Sequence, residues 1–390
     1  MRRSSRGDVD PFIVMDVLAQ ARALEAAGRS IIHMEIGQPG TGAPAGARHA
    51  LQAALAGNPM GYTVGLGLPE LRARIARHYQ DWYGVLLNPD RVVITTGSSS
   101  AFILAFSALF DAGDTVGIGE PGYPSYRQIL RAMSLPVVGI PTHAKQRYQL
   151  TPELLADHDL KGLLIASPGN PTGTMIAREE MRALIEHCAI HGISLISDEI
   201  YHGLHYDQRA ISALELTDDV YVINSFSKYF GMTGWRIGWM VVPEAHVRTV
   251  ERLAQNLFIC APHVSQITAL AAMECQDELE LNRDVYAQNR QVLLDGLPKA
   301  GFNNFSSPEG AFYVYADVRD ITDDSLALAS EILNEAGVAV TPGIDFDPHR
   351  GKGTLRFSYA GSAQDVAEGM RRLTDYMTQR KQRGANGQNK

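Results

Sequence analysis

A mostly parallel α/β sheet with helices on both faces is the architecture this sequence predicts, and three observations predict it. Strand and helix patterns alternate through the middle of the chain, the order that builds parallel sheets through helical crossovers. Residues 162–166 form an unbroken apolar run, as a parallel strand covered on both faces requires. Finally, Asn170, Asp198 and Lys228 each fall near the end of such a run, at the carboxyl edge where sheets of this kind hold ligands. With 390 residues the chain exceeds one small core, so two domains are expected.

Composition narrows the function. Hydrophobic residues make up 45% and charged residues 20% of the chain, an ordinary globular balance. A formal net charge of −8 argues against nucleic acid as the main partner. The three cysteines, Cys188, Cys260 and Cys275, are odd in number and far apart. They form no disulfide framework and no metal-ligand pattern, and read as reduced thiols of a cytoplasmic protein. Phe12-Ile13-Val14-Met15 is too short for a signal-peptide core, and no apolar run reaches membrane-spanning length.

In chain order, residues 14–28 read as an amphipathic helix. A strand over 31–36 leads into the turn Gly37-Gln38-Pro39-Gly40. Residues 61–72, which include Tyr62, form a glycine-rich loop that opens a helix and lacks nucleotide P-loop spacing. A strand over 91–96 is followed by Gly97-Ser98-Ser99-Ser100 and an apolar helix. Strand, small residues and helix N-terminus together favour an anion, although serine capping alone would account for the serines. After the strand 115–120 comes a turn carrying Tyr123 and Tyr126. An aromatic at a strand end can stack on a flat ring; Tyr126 is expected to pack against the following helix. The apolar run 162–166 ends in Ser167-Pro168-Gly169-Asn170-Pro171-Thr172-Gly173. A helix over 177–191 leads to a strand that ends in Asp198, Glu199 and Tyr201. A carboxylate there needs a partner, because burying it alone is costly. His202 and His205 lack a third metal ligand and are expected as solvated loop histidines.

The apolar run 220–223 then delivers Ser225-Phe226-Ser227-Lys228-Tyr229-Phe230-Gly231, and Arg236 follows eight residues after the lysine. Burial favours the neutral amine of such a lysine and lowers its pKa, which suits it to Schiff-base chemistry with a carbonyl. Further helices are expected over 243–260, 263–275 and 279–297, with strands over 311–315, 338–340 and 354–359. Arg356 lies in the last of these.

These motifs closely resemble the class I/II aminotransferases, which use pyridoxal 5′-phosphate. The resemblance spans Gly37 to Arg356. It implies a fold-type I α/β enzyme with a mostly parallel seven-stranded sheet in a large domain, residues 45–290. A smaller α+β domain would combine residues 10–44 and 291–380, and the polar tail 381–390 is expected to be disordered. The resemblance makes Lys228 the Schiff-base lysine and proton shuttle. It sets Asp198 against the cofactor's ring nitrogen, and Tyr201 and Asn170 against its phenolic oxygen. Tyr123 would stack on the ring, while Ser98, Ser99, Ser225 and Arg236 would hold the phosphate. Tyr62 would reach the phosphate of the neighbouring subunit in a homodimer. Gly37, Asn170 and Arg356 would bind the substrate carboxylate, Arg356 by a two-pronged grip that lysine cannot reproduce.

The reaction implied is ping-pong transfer of an amino group between an L-amino acid and a 2-oxo acid. Carbon–sulfur β-elimination on the same fold is the alternative. A non-catalytic cofactor-binding regulator is a third reading. It would need a DNA-binding domain before residue 10 or after residue 380, and neither end offers one. Phe12-Ile13-Val14-Met15 is expected to cover the substrate pocket and to favour aromatic or aliphatic donors over aspartate, with 2-oxoglutarate as acceptor.

Overall fold

The computed structural model describes residues 1–387. Its central seven-stranded sheet has the order Val92–Thr95, Gly238–Val241, Tyr221–Ser225, Ser194–Asp198, Gly162–Ala166, Val116–Glu120, Val137–Pro141. Only Gly238–Val241 runs against its neighbours; the remaining pairings are parallel. The other six strands therefore end at one edge, and the reversed strand starts there. That single inversion delivers Arg236, two residues before Gly238, to the edge where Gly97, Asn170, Asp198 and Lys228 emerge.

Side chains alternate along these strands between two cores. Val92, Ile94, Leu163, Ile165, Leu195, Val222 and Trp239 enter one cluster. Val93, Leu164, Ile196, Ile223 and Met240 enter the other, with Phe102 and Phe106 of the helix Gly97–Leu109. Burial on both faces explains why these strands read as continuous apolar runs. The strand Val137–Pro141 escaped the sequence reading because it lies at the sheet edge, where the alternation is incomplete.

A second, antiparallel sheet has the order Thr341–Pro342, Thr354–Ser358, Tyr313–Asp317, Asn304–Phe305. Ile32–His33 pairs in parallel with Val338–Ala339, which ties the N-terminal segment to the C-terminal part. The helix Gln276–Gly296 links the two regions and packs on the helix Ala363–Gly387. That last helix corrects the expectation of a disordered tail from residue 381, because it continues to Gly387. Charged pairs along it, including Arg371–Glu368 and Arg371–Asp375, favour the helix despite its polar composition. Residues 388–390 lie outside the described residues.

Candidate active site

A cavity of about 230 Å³ opens at the carboxyl edge of the large sheet. Gly37, Ser98, Ser99, Tyr123, Asn170, Asp198, Tyr201, Lys228, Arg236 and Arg356 all line it. Two predicted residues do not. Tyr62 is 83% exposed and is not part of this chain's cavity wall. Ser225 is buried behind the wall, its hydroxyl donating to the Ile237 carbonyl at 3.0 Å and lying 2.9 Å from Ser227 Oγ. Ser227 is the serine that reaches the cavity.

Lys228 sits at the centre. Its Nζ donates to the Gly37 carbonyl at 2.5 Å. Burial, reinforced by the Arg356 and Arg236 charges, lowers its pKa to about 8, with Asp198 opposing the shift. The amine is thus poised close to neutrality.

Asp198 closes the strand Ser194–Asp198 and is buried. Burial raises its pKa to about 6. The Tyr126 hydroxyl and the Ile200 N–H, the latter at 3.1 Å, donate to the carboxylate and hold the rise back. Tyr126 therefore does more than pack. It belongs to the helix Pro124–Ala132, and that helix turns its hydroxyl onto the acid.

At one end of the cavity the helix Gly97–Leu109 begins without a side-chain cap at Thr96, so its first N–H groups are free for an anion. Gly97 has φ +74°, and a Cβ there would collide with the Arg236 guanidinium. Arg236, itself in the left-handed region at φ 48°, donates to the Thr233 carbonyl at 2.9 Å and approaches Ser227 Oγ at 3.5 Å.

Arg356 occupies the opposite end and is buried. It donates to Asn170 Oδ1 at 2.8 Å, to the Glu35 carbonyl, and to Thr341 Oγ1 at 3.3 Å. Its guanidinium lies 4.3 Å from the Tyr313 ring centroid and 4.7 Å from that of Phe346, stacked on aromatic faces. Its Nε is buried without a partner.

Tyr313 went unread in the sequence, and other residues complete the site. Tyr313 lines the cavity and places its hydroxyl 2.8 Å from that of Tyr201. Phe12, Val14, Met15, Ile36 and Gln38 form an outer wall, so the N-terminal apolar stretch does face the pocket, apart from Ile13, which packs elsewhere. His202 is not solvated: it is buried between the Tyr83 hydroxyl at 2.7 Å and the Ser167 carbonyl at 3.0 Å. It braces the turn that carries Asn170.

These features fit pyridoxal phosphate on the chemistry of the donors. One end offers an uncapped helix N-terminus, serine hydroxyls and an arginine for a phosphate. A buried carboxylate whose pKa is raised by burial lacks a counter-charge, and a protonated ring nitrogen would supply one. An amine near neutrality stands between them. The arrangement defines a fold-type I enzyme of this cofactor class.

A family model described as aminotransferase class I and II matches residues 29–373. The chain belongs to that family and is a pyridoxal-phosphate-dependent aminotransferase, moving amino groups between amino and oxo acids. It is 47% identical over 382 residues to the valine–pyruvate aminotransferase of Mycobacterium tuberculosis, covering 96% of this chain and 98% of that protein. A solved structure from Silicibacter pomeroyi is 62% identical, with TM-score 0.93 over 97% of this chain and 100% of the other. The aspartate aminotransferase of Thermus thermophilus with maleate is 30% identical, with TM-score 0.90 over 96% of this chain and 100% of that one. No helix among the described residues is long and apolar enough to cross a membrane.

Proposed function

We propose that this aminotransferase takes amino acids with uncharged aliphatic or aromatic side chains as donors and a monocarboxylic 2-oxo acid as acceptor. One observation carries the reading. Among the described residues the cations lining the cavity are Lys228, Arg236 and Arg356, and each already has a role. The wall around the side-chain position offers Phe12, Val14, Met15, Ile36 and the neutral Gln38. A second substrate carboxylate would be desolvated there without a partner. The same argument applies to the acceptor and moves the expectation from 2-oxoglutarate toward pyruvate. The relative named valine–pyruvate aminotransferase agrees with this assignment.

Bound pyridoxal phosphate supplies a carbonyl for the amino group and a ring that accepts the electron pair released at the substrate α-carbon. The chain's residues divide the remaining work. Arg356, held flat by aromatic rings, forks the substrate carboxylate and fixes the α-carbon beside Lys228. Asn170 accepts from Arg356 through Oδ1, which leaves its Nδ2 hydrogens for the substrate carboxylate and the cofactor's phenolic oxygen. Lys228 Nζ, neutral once displaced, takes the proton from the α-carbon and returns it on the cofactor side. Asp198 holds the ring-nitrogen proton, and Tyr201 donates to the phenolic oxygen. Tyr123 covers the ring. Ser98, Ser99, Ser227 and Arg236 hold the phosphate, with Ser225 orienting Ser227 from behind, while Gly37 lines the substrate side.

We assign residues 45–290 to the large domain, and residues 10–44 with 291–380 to the small one. The exposed Tyr62 fits a homodimer in which it completes the neighbouring site. A cytoplasmic location fits the free cysteines.

A half-reaction screen tests the substrate class by following the loss of cofactor absorbance as single amino acids are added. Valine, leucine, methionine and phenylalanine are expected to react with higher specificity constants than aspartate, and pyruvate is expected to restore the band faster than 2-oxoglutarate. Preference for aspartate and 2-oxoglutarate would overturn the assignment and point to a cation from a second subunit. Release of ammonia or thiol without any oxo acid would instead reveal β-elimination.

A further inference from the structure

Tyr313 has no part in the roles assigned above, yet it touches both halves of the chemistry. It begins the strand Tyr313–Asp317, antiparallel to the strand Thr354–Ser358 that carries Arg356. Tyr315 lies directly opposite Arg356 and Tyr313 opposite Ser358, which puts Tyr313 on the diagonal from the arginine and on the same face. Its ring lies 4.3 Å from the Arg356 guanidinium. Its hydroxyl lies 2.8 Å from the Tyr201 hydroxyl, and a Cβ at Gly37 would fall onto that same oxygen. The ring is thus pinned between the Gly37 backbone and the arginine, with its tip on Tyr201.

We propose that Tyr313 is a positioning residue that commits the Tyr201 proton to the cofactor's phenolic oxygen, and that its ring orients Arg356 for the substrate carboxylate. This rests on the roles given above to Tyr201 and Arg356.

Hydrogen-bond arithmetic supports the first half. Each phenol has one hydrogen and accepts through its oxygen. With nothing else bound, either tyrosine can be the donor in the pair. When an acceptor oxygen comes to Tyr201, only one arrangement satisfies both groups. Tyr201 gives its hydrogen to that oxygen, and Tyr313 gives its own to Tyr201. The reverse leaves two oxygens facing each other with no hydrogen between them, in a buried site where an unmade bond is costly. Donation by Tyr313 also polarises Tyr201 and makes it a stronger donor. The second half rests on the stack: a flat ring under a guanidinium restrains its plane, and the plane decides whether both N–H prongs meet a carboxylate.

Two substitutions separate the halves. Tyr313→Phe keeps the ring and loses the hydroxyl. With the phenolic oxygen less well solvated, the neighbouring Schiff-base nitrogen holds its proton more tightly. The pH midpoint of the cofactor's visible absorbance change should therefore move up by a few tenths of a unit, with KM for the amino acid within about twofold of the parent. Tyr313→Leu removes ring and hydroxyl together and should add a rise in KM of about tenfold. In a Tyr201→Phe background, Tyr313→Phe should move the midpoint no further, because the two hydroxyls act in series. An unchanged midpoint in Tyr313→Phe, or an equal further shift in the Tyr201→Phe background, overturns the hydroxyl role. A KM in Tyr313→Leu equal to that of Tyr313→Phe overturns the stacking role. Should the leucine variant not fold, Tyr313→Trp, which keeps an aromatic face, takes its place and should hold KM near the parent value; a tenfold rise there would overturn the stacking role. If Lys228→Ala retained the parent's titrating band, the underlying assignment of Lys228 would fail, an outcome separate from all of these.

Discussion

The two ends of the cavity, to which the proposed function gives the cofactor phosphate and the substrate carboxylate, are built in opposite ways. The phosphate end is local and open: Gly97, Ser98 and Ser99 are consecutive, Ser227 and Arg236 lie nine residues apart, and Arg236 is exposed. Its strength comes from backbone N–H groups at a helix start, which any sequence supplies once the turn is right. The carboxylate end is distributed and buried. Arg356 meets Asn170 across 186 residues and the Glu35 carbonyl across 321, and rings on two other segments lie against it. The first end can lose a member and keep its grip, because several donors share the charge. The second depends on one side chain held in one plane.

Lys228 stands between the ends, and its loss should have the largest effect. Lys228→Ala should abolish nearly all turnover at both half-reactions and leave no borohydride-reducible bond to the cofactor. Normal turnover in that variant would remove the basis of the comparison. The pH dependence carries a definite sign. With its pKa lowered to about 8 from 10.5, the amine of the cofactor-free enzyme is charged below that value and neutral above it. Capture of pyridoxal phosphate should therefore accelerate as pH rises through about 8. A midpoint near that of an ordinary lysine would mean that the site does not desolvate the amine.

Asp198→Asn comes next. Removing one preorganised charge partner costs on the order of 10²-fold or more in rate, and a variant within a few-fold of the parent would mean the acid does not face the ring. Stability should move the other way in the cofactor-free protein. The folded pKa of about 6 lies above the ordinary 3.8, so the folded form binds the extra proton and stability falls as pH rises between those values. At pH values above this window the asparagine variant escapes that loss, and its Tm should exceed the parent's. The acid is kept for function at a cost in stability.

How far the sequence was legible follows the same division. Gly97-Ser98-Ser99, Lys228 and Arg236 could be read because their geometry is local, although within that loop Ser227 rather than Ser225 reaches the cavity. Asp198 and Asn170 were readable as strand-end residues of a parallel sheet. Arg356 was placed only through the resemblance, since an arginine between apolar neighbours looks the same whether it faces solvent or a pocket. Tyr313 was missed, and Tyr126 was read only as a packing residue, because the hydroxyl's destination depends on strand register and helix rotation. For Tyr313 the signal was the diagonal to Arg356, visible only once the antiparallel pairing is known. His202 was misread for the same reason, as its turn folds back beneath Tyr83.

A matched pair of substitutions sharpens the contrast between the ends. Arg356→Lys keeps the charge but loses the fork and the flat stack, and a charged hydrogen bond at a buried site is worth about 1.5–3 kcal/mol. KM for every amino acid with an α-carboxylate should rise about 10- to 100-fold, while simple amines without that group are affected far less. Equal losses for both kinds would mark the arginine as structural.

Arg236→Lys is the smaller change, although the substitution is the same. Arg236 is exposed, and the contacts that order it are a carbonyl at 2.9 Å and a serine hydroxyl at 3.5 Å. A phosphate there also meets helix N–H groups and the hydroxyls of Ser98 and Ser99, and lysine is itself a competent point-charge binder of phosphate. Cofactor Kd in the lysine variant should rise by less than about tenfold, with KM for the amino acid unchanged. The loss should shrink further at high salt, because solvent screens an exposed charge. A loss as large as that of Arg356→Lys, unaffected by salt, would show that the phosphate end also relies on one fixed fork and that the two ends are built alike.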